Sequence, residues 1–501
     1  MNHDKSTLVL KNLGIETYKE SIIYLRADSH MLLSEGFEAK TCVKVSLGKK
    51  SIIATINIIT SNLLKVGEAS LSQYAQELLH ALEGEKIIVT HARPVESLSF
   101  VRSKIYGNEL SSEEIEAIIF DIVSGYYSDI QISAFLTACV GKNLNLKEIL
   151  NLTKAMIKNG ERLSWDEKII VDKHCIGGLP GNRTTPIIVS IVAAFGLIMP
   201  KTSSRAITSP AGTADSMEVL TNVEFNISQI KEIIAKENAC IVWGGAVSLS
   251  PADDIIIRIE RALDLDSEGQ MVASILSKKI AAGSNHVIIE IPIGKTAKVR
   301  DDEMADILKN YLEKIGKNLG IKVKVLLTDG SQPVGRGIGP ALEARDFIAV
   351  LKNAENAPQD LRNRALTLAG EVLEFSPKVK RGSGKIIATE ILNSGKAWQK
   401  FQAICAAQGG MKEIAQAKYI HQCLALNDGV VLEIDNRRIS MLAKLAGAPL
   451  DKTAGVDLFV KVRKEVKKDE PIFAIHTNSS ETLEYALSYF QDNLDLIKIE
   501  Q

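Results

Sequence analysis

Between residues 6 and 66 the apolar positions come in short runs broken by turns. STLVLKNLGI, SIIYLRAD, AKTCVKVSL and KSIIATINII are rich in valine, isoleucine and threonine, which suit a pleated, half-buried surface. Turns such as Leu47-Gly48-Lys49-Lys50 separate them. The pattern predicts a small β domain over residues 1–94, with a helix from about Ser72 to Leu82 leading out of it. Near Val95 the period changes. Ser111-Ser112-Glu113-Glu114 reads as an N-cap with an acidic first turn, and Ile115, Ile118, Ile119 and Ile122 then recur at helical spacing. DIQISAFLTACV and LNLKEILNLTKAMIKNG predict two more helices, the second ending at Asn159-Gly160. From about 167 to 350 strand-like and helix-like segments alternate, as in an α/β domain with a largely parallel sheet. Residues 418–501 read as an α+β end, in which Lys464, Lys467 and Lys468 suit a solvated turn.

One stretch organises the α/β region. Asp172 to Thr185, DKHCIGGLPGNRTT, follows the apolar run Ile169-Ile170-Val171 and precedes the apolar segment Pro186 to Met199. Strand, glycine-rich loop and helix follow one another. Such a loop presents backbone N–H groups that can cradle an anion, and Lys173 sets a cation beside it. A tight turn with a solvated lysine is the plain alternative. KTSSRAITSPAGTADSMEVL, residues 201–220, reads as a loop rich in hydroxyls (Ser203, Ser204, Thr208, Ser209, Thr213) with one arginine, Arg205. Hydroxyls with arginine suit a phosphate or a sugar, and equally a loop that caps itself. In MVASILSKKIAAG, Ser274 and Lys278 lie four apart on one helix face. Ligands of parallel sheets bind beyond the carboxyl ends of the strands, where these glycine loops fall.

Composition narrows the class. At 501 residues the chain is too long for one core and suggests roughly three to four domains. A formal net charge of −1 offers nothing to nucleic acid or to an anionic membrane. The six cysteines form no CxxC pair and the histidines no HExxH spacing, so thiols in a reducing cytoplasm are expected and no metal site. The longest apolar run, Pro186 to Pro200, is short for a membrane span and predicts a buried helix. The N-terminus lacks a signal-peptide layout.

The string Asp172-Lys173-His174-Cys175-Ile176-Gly177-Gly178 resembles the KHSTGG signature of the thymidine and pyrimidine-nucleoside phosphorylases. SSRAITSPAGTAD resembles that family's second phosphate loop, SLSPADD with ASILSKK its base-binding segment, and SQPVGRGIGPALEARD a later loop. All four occur in order, over about residues 97–501. The additional β domain is similar to that of a longer branch, which also holds AMP phosphorylases.

The resemblance implies a helical domain (95–165 and 250–284) facing an α/β phosphate-binding domain (166–249 and 285–417) across a cleft, with a C-terminal region from 418 to 501. It implies a pentosyltransferase that uses inorganic phosphate as co-substrate and no cofactor. The substrate would be a nucleoside or nucleotide, and the molecule a cytoplasmic homodimer or larger homo-oligomer. Lys173, Cys175, Gly177, Gly178, Thr185, Ser203 and Thr213 would hold phosphate. His174, Ser204, Arg205, Ala206, Ile207, Thr208, Ser209, Ser274, Lys278 and Lys298 would line the substrate. Lys173 and Asp266 would be catalytic, Asp266 as proton donor. Thymidine is the expected substrate; AMP is the alternative, its 5′-phosphate met by Arg205, Lys298 and the 203–209 hydroxyls. An inactive nucleotide-binding or assembly protein is a further alternative. A P-loop kinase is disfavoured, because GGLPGNRTT does not satisfy GxxxxGK[ST]. Two departures stand out. Cys175 occupies a position often held by serine, and a thiol donates weakly while a thiolate would repel phosphate. Arg258 and Arg261 flank the place of a base-binding arginine, which is Ile259 here.

Overall fold

A computed structural model describes residues 7–500 apart from Ile207, Thr208, Ser248, Asp264 and Asp266 and the side chains of Ser34 and Lys142. The chain divides into two units, Met1–Asn159 with Pro251–Gln270, and Gly160–Ser250 with Met271–Gln501.

In the first unit six strands close into a barrel in the order β1-β5-β2-β4-β3-β6. They are β1 Thr7–Leu10, β2 Ile22–Arg26, β3 Cys42–Leu47, β4 Lys50–Ile59, β5 Glu68–Leu71 and β6 Lys86–His91. The barrel therefore extends past residue 66, and β6 closes it by pairing antiparallel with both β1 and β3. Period-two side chains such as Ile23 and Leu25, Val43 and Val45, and Ile87 and Val89 fill one core. The helix after β5 is Gln73–Leu79, and the Ser72 hydroxyl caps it by accepting from the Ala75 N–H.

The same unit holds a helical bundle. The Ser112–Val123 helix opens on a capping box of Ser111 and Glu114 and buries Ile115, Ile118, Ile119 and Ile122. Leu146–Lys158 and Pro251–Leu263 pack against it, and Asp129–Ala138 packs against Pro251–Leu263. Here Arg258 grips Asp129 through two hydrogen bonds of 2.7 Å, and Ile259 is buried.

The second unit is built on a parallel sheet. Its strands are β7 Val171–Cys175, β8 Met199–Ser203, β9 Ala239–Trp243, β10 His286–Ile293 and β11 Lys322–Asp329. β11, β10 and β7 pair in parallel, β8 pairs with β9, and an Ile170–Ile198 bridge joins the two sets. The expected α/β architecture is thus present. The apolar run after the glycine loop forms the Thr185–Phe195 helix, buried from Thr185 to Ala193. It packs in a core with Phe347 and Phe401, whose rings meet edge-on at 5.7 Å.

The C-terminal part adds two antiparallel sheets, β12-β15-β17-β13 and β16-β14-β18. These strands are β12 Gly337–Ile338, β13 Tyr419–Leu424, β14 Gly429–Ile434, β15 Gly455–Leu458, β16 Glu465–Val466, β17 Pro471–Thr477 and β18 Ile497–Glu500. β12 lies far upstream of residue 418, so this sheet borrows a strand from the preceding region.

One expected span divides. The helical domain is expected to take in residues 250–284, but only Pro251–Gln270 belong to the first unit. From Met271 onward the chain belongs to the second, because Ala281 and Ala282 pack against Leu163, Ile170 and Val242 and the Ala281 carbonyl accepts from the Leu163 N–H at 2.8 Å. Among the described residues no helix is long and apolar enough to cross a membrane.

Phe347 has no exposed surface, so its truncation leaves a cavity. Phe347→Ala should cost about 3–5 kcal/mol. Urea unfolding should show a lowered midpoint with an unchanged slope; an unshifted midpoint contradicts this packing.

Candidate functional site

β7 carries charge into the sheet, and strand geometry sorts it. Alternate side chains point to opposite faces, so Asp172 and His174 share one side, Lys173 and Cys175 the other. Lys173 is 1% exposed. Its Nζ lies 2.8 Å from Glu290 Oε2 and donates to Thr184 Oγ1 at 2.9 Å. Glu290 sits on β10, in register with Cys175. Its Oε1 accepts from Arg364 at 2.9 Å and from Asn182 and Thr328 at 3.3 Å. Burial opposes ionisation of Glu290, but Lys173 and Arg364 outweigh it and bring the carboxyl down to about 2.

On the other face Asp172 stands between two lysines, 2.7 Å from Lys279 Nζ and 3.3 Å from Lys201 Nζ. Burial would raise the Asp172 carboxyl; Lys201 and Lys279 hold it below its ordinary range. Lys201 shares that single carboxylate, and burial together with Lys279 pulls its amine down to about 7. Burial and the surrounding Lys279, Lys201, Lys278 and Lys173 push His174 well below its ordinary value, so its imidazole is neutral near pH 7.

Loops from three neighbouring strands converge at the carboxyl end of the sheet. After β7 the chain turns sharply at Gly177 and Gly178, with φ of +102° and +77°. A Cβ on Gly178 would lie 2.3 Å from the Lys298 backbone nitrogen. Only glycine therefore lets the first loop meet the turn after β10. A Cβ on Gly177 would meet nothing within 4 Å. After β8, Gly212 abuts the Ser204 carbonyl, and Asp215 accepts from the N–H groups of Ala206 and Gly212 at 2.6 and 2.8 Å. Arg183 joins the first loop to the second by donating to Thr213 Oγ1 at 2.9 Å and to the Ala211 carbonyl at 2.7 Å.

The predicted residues divide accordingly. Lys173, Gly177, Gly178, Ser203, Ser204, Ala206, Thr213 and Lys298 lie on the converging strand ends and loops. Ser203 Oγ is buried without a hydrogen-bond partner among the described residues. A hydroxyl carries one hydrogen and two lone pairs, so this one can donate. Thr185 is the first residue of its helix, whereas the neighbouring Thr184 receives Lys173. Ser209 is turned inward, donating to the Ala211 carbonyl at 2.8 Å. Lys278 donates to Ser274 Oγ at 3.0 Å, joining the pair seen on one helix face. Ile207, Thr208 and Asp266 lie outside the described residues.

Arg205 departs from its expected part. Its guanidinium pairs with Glu218 at 2.6 and 2.8 Å and with Glu224 at 2.8 Å, and lies 4.6 Å from the Trp243 ring centre. A cation so occupied braces its own loop rather than meeting an incoming anion. For Cys175, burial and the nearby Glu290 carboxylate push the thiol up to about 12. It is uncharged near pH 7, so it adds no negative charge to the loop. Arg258 is committed to Asp129.

Sequence reading missed Glu290, Arg364, Lys201, Lys279 and Arg183. Two carried a signal. Glu290 is the lone charge inside HVIIEIPI, and Lys201 follows the apolar LIMP. A charge within a buried strand demands a counter-charge. Among the described residues no group of three or more His, Cys, Asp or Glu is placed to hold a metal ion.

Three family descriptions match the chain. They are the helical bundle domain of a glycosyl transferase family over residues 98–160, the a/b domain of a glycosyl transferase family over 167–398, and the pyrimidine nucleoside phosphorylase C-terminal domain over 430–496. A "Putative thymidine phosphorylase" of Legionella pneumophila (strain Paris) is 60% identical over 490 residues, covering 98% of this chain and 95% of the relative. One of the same name from Polaromonas sp. (strain JS666) is 52% identical, covering 98% and 96%. Among solved structures, anthranilate phosphoribosyltransferase from Thermus thermophilus matches with a TM-score of 0.51 at 19% identity, over 62% of this chain and 98% of that one. That last likeness concerns the fold alone.

The Glu290 cluster predicts a specific acid response. Its folded value of about 2 lies below the ordinary 4.5. The stabilisation is therefore present above about pH 4.5 and lost as pH falls towards 2, about 3 kcal/mol in all. Glu290→Gln should be less stable at pH 7 yet lose about 3 kcal/mol less over that window in urea titrations. Equal acid losses in both proteins would rule out the pairing.

Proposed function

Because the chain belongs to the thymidine and pyrimidine-nucleoside phosphorylase family, a family of pentosyltransferases, we propose that it cleaves thymidine with phosphate, giving thymine and 2-deoxyribose 1-phosphate. One observation carries the reading: the loops after β7, β8 and β10 meet at one end of the sheet, with the buried Ser203 hydroxyl, unpartnered among the described residues, beside them.

In this reaction a phosphate oxygen forms a bond to the anomeric carbon as the carbon–nitrogen bond to the base breaks. The electron pair of that bond leaves with the base, which takes up a proton. The transition state is an oxocarbenium-like sugar between two anions, so positioning and charge stabilisation do most of the work. The Gly178 N–H, Ser203 and Thr213 donate to the phosphate, the Ile176 N–H being given to the Glu290 carbonyl at 3.0 Å. Lys173 and Arg364 around the single Glu290 carboxylate leave a net positive charge that favours it. Ser274 and Lys278 face the departing base. Neutral His174 can donate or accept a hydrogen bond there without carrying charge. Asp266 is proposed to donate the proton.

The state of Arg205 favours a nucleoside over AMP. A 5′-phosphate needs an anion site of its own, and Arg205, one of the cations expected to build it, is already paired with Glu218 and Glu224. The N-terminal barrel and a homo-oligomeric, cytoplasmic state complete the proposal.

Three measurements test it. Free base should appear from thymidine, and more slowly from uridine, when a panel with AMP, CMP and UMP is incubated with phosphate; preferential release from AMP would transfer the assignment to nucleotides. Lys173→Ala should lower kcat/KM by at least about 10²-fold, the scale of removing one preorganised charge-stabilising group. Cys175→Ser should lower the phosphate KM by about two- to tenfold, because a hydroxyl donates where a neutral thiol scarcely does. An unchanged KM would leave the backbone as the donor at that point.

A further inference from the structure

Arg183 has no part in the proposed chemistry, yet every arm of its guanidinium is engaged. Nε donates to Glu343 Oε2 at 2.6 Å, Nη1 to Thr213 Oγ1 at 2.9 Å and Nη2 to the Ala211 carbonyl at 2.7 Å. The side chain is 13% exposed and its carboxylate 1%. Glu343, on the Pro340–Leu351 helix, also accepts from Ser216 Oγ at 3.3 Å. The planar fork fixes three directions at once, which a lysine cannot do.

The consequence lies at Thr213. A hydroxyl has one hydrogen and two lone pairs. Arg183 fills one lone pair of Thr213 Oγ1, which directs the hydrogen away from the guanidinium. We propose that Arg183 is a positioning residue that orients the Thr213 hydroxyl as a donor to phosphate and locks the second loop to the first. This rests on the phosphorolysis reading for the identity of the anion. Arg183 does not touch the phosphate; it acts through Thr213 and the Ala211 carbonyl. Its charge is balanced by Glu343, so its contribution is directional rather than a long-range pull.

The test uses the full chain and inorganic phosphate, with binding followed by calorimetry and both Michaelis constants by base release. Arg183→Gln should weaken phosphate about tenfold while the nucleoside KM stays within about twofold, and Arg183→Lys should recover only part of the loss. Thr213→Val should weaken phosphate similarly and Thr213→Ser should not. Joining Arg183→Gln with Thr213→Val should add little, since both remove the same donor. Phosphate affinity unchanged in Arg183→Gln, multiplied losses in the double variant, or equal rises in both Michaelis constants would overturn the proposal. Should Arg183→Gln fail to fold, Glu343→Gln should shift phosphate binding in the same direction, and an unchanged affinity there would overturn it as well. Wild-type protein that binds phosphate but releases no base would remove the phosphorolysis reading and leave the positioning role to the affinities alone. Wild-type protein that binds no phosphate would remove both.

Discussion

A buried lysine needs a buried carboxylate, and the link between Lys173 and Glu290 meets that need by joining β7 to β10. Arg364 adds a second cation to the same carboxylate, so the helix that carries it is tied in as well. On the other face of β7, Asp172 draws in Lys201 from β8 and Lys279 from the helix that carries Ser274 and Lys278. Adjacent residues of opposite sign thus fix four elements around one strand. Removing either carboxylate leaves two buried cations without a counter-charge.

The loops depend on this frame. Their strands end side by side, and their contacts are close enough to need glycine at Gly178 and an arginine fork at Arg183. Chemistry that works by placing donors around an anion requires such rigidity more than it requires a nucleophile. The uncharged Cys175 thiol fits that requirement, since the backbone turn beside it remains intact.

Much of this was legible in the sequence. The change from period two to helical spacing near Val95, the Ser111–Glu114 cap and the strand–glycine loop–helix at Asp172 each have a local cause. So does the pairing of Ser274 with Lys278, four residues apart. What stayed hidden depends on contacts between distant segments. Glu290 lies far along the chain from Lys173 and announces only that it needs a cation, not which one. Arg205 reads as an anion ligand because its neighbours are hydroxyls; Glu218 and Glu224 claim it only once the loop folds back. The division of 250–284 likewise follows from Ala281 and Ala282 meeting Leu163, a contact that helical periodicity does not encode.

The central claim is that phosphate itself is the nucleophile at the converging loops. Product analysis after incubation with thymidine, with and without inorganic phosphate, tests it most directly. Thymine and 2-deoxyribose 1-phosphate should form in equal amounts, and neither should form when phosphate is left out. Thymine released without phosphate, with free sugar as the second product, would contradict it.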